Sequence, residues 1–110
     1  MKQCEIWYAD LNPVIGSEQS GHRPIVIVSG NMLNQHLPVV IAYPLTTKIK
    51  NYKGNIVLNP DKINGLSHVS EIMIFQVRSI SKERLVKRIG NITKAELTKL
   101  KQGLDDILRY

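Results

Sequence analysis

Residues 25–28 read Ile-Val-Ile-Val, an uninterrupted apolar run in which every side chain is β-branched. Such residues favour extended strands, and a strand with one face in water would alternate apolar and polar positions. Because this run does not alternate, we predict a strand at Pro24 to Val28 that is covered on both faces. The chain has 110 residues, which predicts a single domain spanning 1–110 around one core.

Other segments share this apolar, β-branched character and are bounded by turn-forming residues, which predicts further strands at Glu5 to Leu11, Val39 to Leu45, Asn55 to Leu58 and Val69 to Val77. In the last of these, a period of two would place Ser70, Ile72, Ile74, Gln76 and Arg78 on one face, and Glu71, Met73 and Phe75 on the other.

The last third of the chain has a helical pattern instead. Thr93 and Glu96 have capping-box spacing, and apolar residues then recur at helical intervals, at Leu97, Leu100, Leu104, Ile107 and Leu108. This stripe must pack on the chain's own sheet or on a second subunit. A shorter helix is predicted at Ser81 to Val86. The sequence therefore predicts a mainly β domain, a small antiparallel barrel or curled sheet closed by one C-terminal helix.

Composition narrows the function classes. Fifteen Lys and Arg against nine Asp and Glu give a net charge of +6, which favours polyanionic partners such as nucleic acid. Cys4 is the only cysteine, so an intrachain disulfide is excluded and a reducing compartment is expected. The apolar runs are far shorter than the ~20 residues of a membrane span, and the N-terminus lacks a signal-peptide pattern. We therefore expect a cytoplasmic protein that does not enter a membrane.

A long, polar, glycine-bearing loop, residues 12–23, separates the first two predicted strands. Loops of this length in small domains tend to be functional. Gly16 and Gly21 have the spacing of a phosphate-binding loop, but His22-Arg23 replaces its Lys-Ser/Thr and a strand follows instead of a helix. Arg23 precedes Pro24, which favours extended backbone at Arg23. Its guanidinium would then project from the start of a strand, where it would bind a phosphate. The alternative is a surface ion pair with Glu18.

Hydroxyl and basic side chains cluster where the third predicted strand ends. Thr46 and Thr47 would either donate to a phosphoryl oxygen or cap the turn. The segment that follows carries Tyr52 among three lysines, Lys48, Lys50 and Lys53. Basic residues with an interleaved aromatic are typical of loops that bind single-stranded RNA, whereas the alternative is a solvated lysine loop.

The sequence gives little support to metal-dependent or glycosidase-type chemistry. The three histidines, His22, His36 and His68, lack metal-site spacing, and no second cysteine exists, so no metal or cofactor is predicted. His36 and His68 are expected in surface turns, which leaves His22 as the one candidate for function. Neighbouring carboxylates on one strand face are also missing, so glycosidase-type chemistry is not indicated.

Taken together, these segments resemble the MazF/PemK family, the endoribonuclease toxins of bacterial type II toxin–antitoxin pairs. The resemblance runs in order along nearly the whole chain, and its matching stretches are Glu5 to Pro13, Gly16 to Gln19, Gly21 to Pro24, Pro44 to Lys48, Gln76 to Ile80 and Lys82 to Leu85. It implies an SH3-like barrel with added helices that works as a homodimer and cleaves single-stranded mRNA without metal or cofactor. It also implies a cognate antitoxin whose acidic, disordered tail occupies the RNA groove.

By motif position, the resemblance implies that Arg23 and Thr46 are catalytic. It places Ser17, Glu18, Gln19 and Gln76 at the RNA groove, to which the residue types add His22, Thr47, Lys48, Lys50 and Lys53 as candidate RNA contacts. The chain departs from the family twice. An Arg and an Asp that serve the chemistry in one branch are Met73 and Phe75 here, and a usual glycine is Cys4, which we interpret as a local packing change.

Metal-free cleavage uses the 2′-hydroxyl of the RNA as nucleophile and leaves 2′,3′-cyclic phosphate and 5′-hydroxyl ends. Two other readings remain open from the sequence. One is a non-catalytic, CcdB-like toxin that binds DNA gyrase, and the other is a nucleic-acid-binding barrel without toxicity. Cleavage of RNA by the purified protein separates the first reading from both.

Overall fold

The computed structural model describes residues 1–11 and 21–110, and the described chain alternates short strands with a few helical segments. In chain order these are β1 (Glu5–Asp10), β2 (His22–Ile27), α1 (Asn31–His36), β3 (Val39–Thr46), β4 (Ile56–Leu58), β5 (Ser70–Ile72), β6 (Arg78–Ser81), β7 (Leu85–Asn91) and α2 (Lys94–Arg109). Single 3₁₀ turns at Ile74–Gln76 and Lys82–Arg84 precede β6 and β7.

Strand β3 organises the sheet. The antiparallel order is β4-β5-β3-β2-β1-β7, and β6 also pairs with β3. The beginning of β3 pairs with β6, whereas its end pairs with β5 through Leu45 and Ile72. Because β5 and β6 share one edge of β3, the sheet curls into a half-barrel. This confirms the mainly β fold with a curled antiparallel sheet and a C-terminal helix.

The apolar run at residues 25–28 lies at the centre of this sheet. Ile25, Val26 and Ile27 have no exposed surface. Val26 belongs to a core cluster that includes Leu97 and Leu100 of α2, whereas Ile25 and Ile27 belong to a second cluster built from strand residues and their neighbours. The prediction that both faces of this strand are covered is therefore confirmed.

Helix α2 begins as its sequence predicts. The N–H of Glu96 donates to the hydroxyl of Thr93 at 3.1 Å, and the N–H of Thr93 donates to the carboxylate of Glu96 at 2.8 Å. Leu97 and Leu100 are buried against the chain's own sheet, but Ile107 and Leu108 in the last turn are exposed. The first part of this apolar stripe therefore packs within the chain, whereas its last turn does not. In the described residues, no helix is long and apolar enough to cross a membrane.

The predicted strand at Val69 to Val77 is wrong in its second half. The chain leaves β5 after Ile72, and the N–H of Met73 donates to the carbonyl of Pro44 at 2.9 Å. A 3₁₀ turn at Ile74–Gln76 then carries the chain from the end of β3 to its beginning, where β6 pairs. The change of position along β3 requires this turn, so the period-two faces do not persist beyond β5.

Two further differences concern short elements. The predicted helix at Ser81 to Val86 is a single 3₁₀ turn followed by β7. The charged residues of β7 interrupt the apolar pattern from which a strand is predicted. Helix α1 was not predicted, and His36 is its last residue rather than part of a turn. Local hydrogen-bonding partners, which short sequence patterns do not specify, decide both cases.

Cys4 occupies a backbone conformation that favours glycine. Its φ is +79°, in the left-handed region, where a side chain costs about 1 kcal/mol or more. Its carbonyl accepts from the N–H of Ile92, and its N–H donates to the carbonyl of Ile27, both at 2.8 Å. The replacement of the family's glycine is therefore a change in backbone strain, not only in packing.

Gly103 lies inside α2, where glycine is about 1 kcal/mol less favourable than alanine. The reason is contact: a Cβ at this position would lie 2.8 Å from the carbonyl oxygen of Gly54 and 2.8 Å from Cδ1 of Ile74. We expect Gly103→Ala to lower the free energy of unfolding by about 1–2 kcal/mol, because overpacking outweighs the gain in helix propensity.

Urea unfolding measures this change. Gly30→Ala adds a methyl group in open space, because a Cβ at Gly30 meets no atom within 4 Å, and since Gly30 caps α1 its effect reports N-cap preference without overpacking. A Gly103→Ala protein as stable as the native chain, or more stable, would contradict the close approach of α2 to the Gly54 loop.

Candidate active site

The register of four neighbouring strands brings distant residues into one row. Arg23 of β2 pairs with Ala9 of β1, and Thr46 of β3 pairs with Glu71 of β5. Ile25 pairs with Pro44, and Arg23 and Thr46 each lie two residues beyond this last pair, at the same end of β2 and β3. Directly opposed residues in an antiparallel sheet point to the same side. Arg23 and Thr46 therefore lie at one end of the sheet and on one side of it, with the buried Glu71 beside Thr46.

Arg23 and Thr46 border the same cavity. It has a volume of about 370 Å³, and its lining residues are Arg23, Thr46, Lys48, Lys50, Tyr52, Met73, Phe75 and Gln76. Thr46 is 5% exposed, and its Oγ1 accepts a hydrogen bond from the N–H of Lys48 at 3.1 Å. Because a hydroxyl that accepts still has its own hydrogen to donate, Thr46 keeps a donor for a group in the cavity.

A buried carboxylate, that of Glu71, holds the wall of this cavity. Glu71 has no exposed surface and accepts hydrogen bonds from the backbone N–H groups of Lys50, Asn51 and Tyr52 at 2.6, 3.1 and 3.1 Å. The side-chain amide of Asn55 donates a fourth bond, at 2.8 Å. All four donors lie in the segment between β3 and β4, so a single side chain fixes the basic loop.

Two opposing effects set the pKa of Glu71. Burial raises it, but the hydrogen bonds from Asn55, Lys50, Asn51 and Tyr52 together outweigh burial and lower the pKa of Glu71 below its ordinary value. The carboxylate therefore stays ionised at neutral pH.

A second cavity meets the first at Arg23. It has a volume of about 490 Å³, and its lining includes Tyr8, His22, Thr47, His68, Lys87 and Arg88 in addition to Arg23. His22 packs edge-to-face against Tyr8, with ring centroids 6.1 Å apart. Arg23 thus separates two basic cavities, and a chain of phosphates crossing it would pass from one to the other.

The structure brings some of the sequence candidates together and separates others. Gln76, Lys48 and Lys50 line the cavity that contains Arg23 and Thr46, whereas His22 and Thr47 line the second one. Lys53 borders a third cavity of about 460 Å³, beside α2. The candidates Ser17, Glu18 and Gln19 lie outside the described residues.

Residues 2–108 match the PemK-like, MazF-like toxins of type II toxin–antitoxin systems. The chain belongs to this family. Membership places it among the endoribonuclease toxins of type II toxin–antitoxin systems.

Individual relatives agree with the family assignment of this MazF-like chain. It is 35% identical to endoribonuclease MazF9 of Mycobacterium tuberculosis over 109 residues, covering 94% of this chain and 92% of that protein. It is 31% identical to endoribonuclease EndoA of Bacillus subtilis over 105 residues, covering 94% and 90%. A mycobacterial endoribonuclease, solved in complex with its cognate antitoxin, has the same fold with a TM-score of 0.80 at 23% identity, covering 98% and 94%.

One of the two departures noted in the sequence, at Met73 and Phe75, falls inside the cavity of this MazF-like chain. Met73 and Phe75, which stand where one branch of the family resemblance has Arg and Asp, both line it. Met73 is buried, and Phe75 is 47% exposed. Apolar side chains therefore take the place of that charged pair. Among the described residues that line the cavity, Arg23 is the arginine available to bind a phosphate.

Proposed function

We propose that this toxin cleaves single-stranded mRNA at specific sequences, by attack of a substrate 2′-hydroxyl on the adjacent phosphorus. The O2′–P bond forms and the P–O5′ bond breaks, while the 2′-hydroxyl releases its proton and the departing O5′ takes one up, so the products carry 2′,3′-cyclic phosphate and 5′-hydroxyl ends. The observation that supports the proposal is the shared cavity: Arg23 and Thr46, 23 positions apart in sequence, border one space beside a lysine-bearing loop.

Each residue has the role that its chemistry suits. A guanidinium stays protonated and forms two parallel hydrogen bonds to a phosphate, so Arg23 stabilises the negative charge that grows on phosphorus. The Thr46 hydroxyl, oriented by the N–H of Lys48, donates to a non-bridging oxygen and fixes the phosphate for in-line attack. These groups act on a nucleophile supplied by the RNA, and the reaction we propose has no step that uses a metal ion.

The partners follow from charge and from the relatives. RNA binds along the basic cavities, and an antitoxin with an acidic, disordered tail competes for the same surface. A homodimer is also proposed, because the last turn of α2 exposes Ile107 and Leu108, which a second subunit would cover. The net charge of +6 favours both of the anionic partners.

Sequencing of fragment ends tests the proposed reaction. The purified protein is incubated with a long mRNA in EDTA, and the ends are mapped and typed. We expect cuts within a short recurring sequence, with 5′-hydroxyl and 2′,3′-cyclic phosphate ends and no loss of rate in EDTA. Intact RNA combined with binding to DNA gyrase would contradict the proposal and favour a CcdB-like toxin.

The lysines of the cavity should make RNA binding depend on salt. Each phosphate contact on a single strand contributes about 0.7 to the slope of log affinity against log salt, so Lys48→Ala and Lys50→Ala should each flatten the slope by about that amount. Lys53, which borders a different cavity, should contribute less. The measurement is fluorescence anisotropy with a non-cleavable 2′-O-methyl oligonucleotide.

Lys99→Ala is the control, because this substitution removes the same charge from an exposed position on α2. If the slope of log affinity against log salt is unchanged in Lys48→Ala and Lys50→Ala, the segment is a solvated loop with no role in RNA binding.

A further inference from the structure

Two exposed aromatic rings form one side of the cavity. Tyr52 and Phe75 are 50% and 47% exposed, and their ring centroids lie 5.5 Å apart at an interplanar angle of 76°. They come from separate segments, the basic loop after β3 and the 3₁₀ turn after β5. Large apolar side chains left in contact with water at a cavity are typical of ligand sites.

The backbone that carries each ring is fixed by hydrogen bonds. The N–H of Tyr52 donates to the buried Glu71 carboxylate at 3.1 Å. Phe75 is the middle residue of the 3₁₀ turn, which the N–H of Gln76 closes on the carbonyl of Met73 at 3.1 Å. The backbone under Tyr52 and Phe75 is therefore in place before any ligand arrives, which reduces the entropy cost of binding.

The charges around the rings define the ligand. Arg23, Lys48 and Lys50 line the same cavity, so the ligand carries an anionic group within a few ångströms of a flat apolar one. A nucleotide of a single strand has this combination, with a phosphate beside an unpaired base. An aliphatic peptide side chain would fill the space but would not use the ring faces.

We propose that Tyr52 and Phe75 form a stacking subsite for a nucleobase next to the scissile phosphate. This inference rests on the proposed function, which sets that phosphate between Arg23 and Thr46. Stacking is tolerant of base identity because every base has an aromatic face. The subsite therefore adds affinity and fixes the position of the strand, whereas hydrogen-bonding groups such as Gln76 remain available to discriminate between bases.

Binding of 2′-O-methyl decanucleotides to Tyr52→Leu and Phe75→Leu tests the subsite, with an abasic backbone of the same length as the second ligand. Leucine keeps apolar bulk but lacks a ring face. We expect each substitution to weaken binding of the base-bearing strands roughly 5- to 100-fold, and to leave binding of the abasic backbone unchanged. Tyr110→Leu is the control, because Tyr110 is 98% exposed at the chain end.

Three results would overturn the subsite: unchanged binding in both variants, equal losses for base-bearing and abasic strands, or a native chain that does not prefer bases over the bare backbone. These ligands are not cleaved, so the outcome is independent of activity. Cleavage of unmodified RNA, measured in parallel, reports separately on the proposed function.

Discussion

Arg23→Ala should lower the rate of RNA cleavage by at least about 10²–10³-fold, while the protein folds as before. Losing one oriented donor to a developing oxyanion typically has this effect, and Arg23 also carries a full charge. The side chain is half-buried at the mouth of β2, so its loss should change the free energy of unfolding far less than the rate. Single-turnover cleavage and urea unfolding measure the two quantities.

Two further variants identify the cause. Arg23→Lys keeps the charge but loses the two parallel hydrogen bonds, so its rate should lie between those of the native chain and Arg23→Ala. Lys99→Ala removes one positive charge at an exposed position in the middle of α2 and should leave cleavage unchanged. Near-native cleavage by Arg23→Ala would show that the reacting phosphate lies elsewhere.

Glu71→Gln should lower the free energy of unfolding by about 2–6 kcal/mol. The carboxylate accepts four hydrogen bonds, whereas a glutamine side chain has one oxygen and turns its amide hydrogens toward the remaining donors. At least two of these partly buried donors lose their partner, at about 1–3 kcal/mol each. Urea unfolding measures the loss, and the released Lys48–Lys53 loop should also bind RNA more weakly.

The pH dependence of stability separates this carboxylate from others. The pKa of Glu71 is lower in the folded chain than its ordinary value, so its ionised form stabilises the fold above about pH 4.5 and this contribution is lost as pH falls through the folded pKa. Glu71→Gln should flatten the loss of stability on acidification. Glu5 should keep a residual slope, because hydrogen bonds from Trp7 and Lys2 outweigh burial and lower its pKa as well.

Glu83→Gln, at an exposed position, is the control for the loss of one carboxylate. A Glu71→Gln protein with the native free energy of unfolding and the native acid profile would show that the loop does not depend on this side chain.

Local patterns predicted much of the fold because the physics that decides those elements is local. The non-alternating run at residues 25–28 required burial on both faces, and the Thr93–Glu96 capping box required only its own first turn. The row containing Arg23 and Thr46 was different, because strand register decides it. The family resemblance supplied that pairing, and no periodicity in the sequence did.

Glu71 shows why the rest could not be predicted. It lies in an apolar segment where a period of two placed it on one strand face with Met73 and Phe75, yet its four donors come from residues 50–55. Nothing in the spacing of residues 50 and 71 indicates that contact. The break after Ile72 is similar, because it follows from where β5 and β6 pair along β3. Contacts between distant segments decide both features.

The central claim is that the RNA's own 2′-hydroxyl attacks the phosphate held by Arg23 and Thr46. The most direct test uses an oligonucleotide that the protein cuts, with a single 2′-deoxyribose at the nucleotide on the 5′ side of the cut. We predict that cleavage of that bond is lost while the oligonucleotide binds with unchanged affinity. Cleavage of the deoxy-substituted bond at the rate of the all-ribose strand would contradict the mechanism.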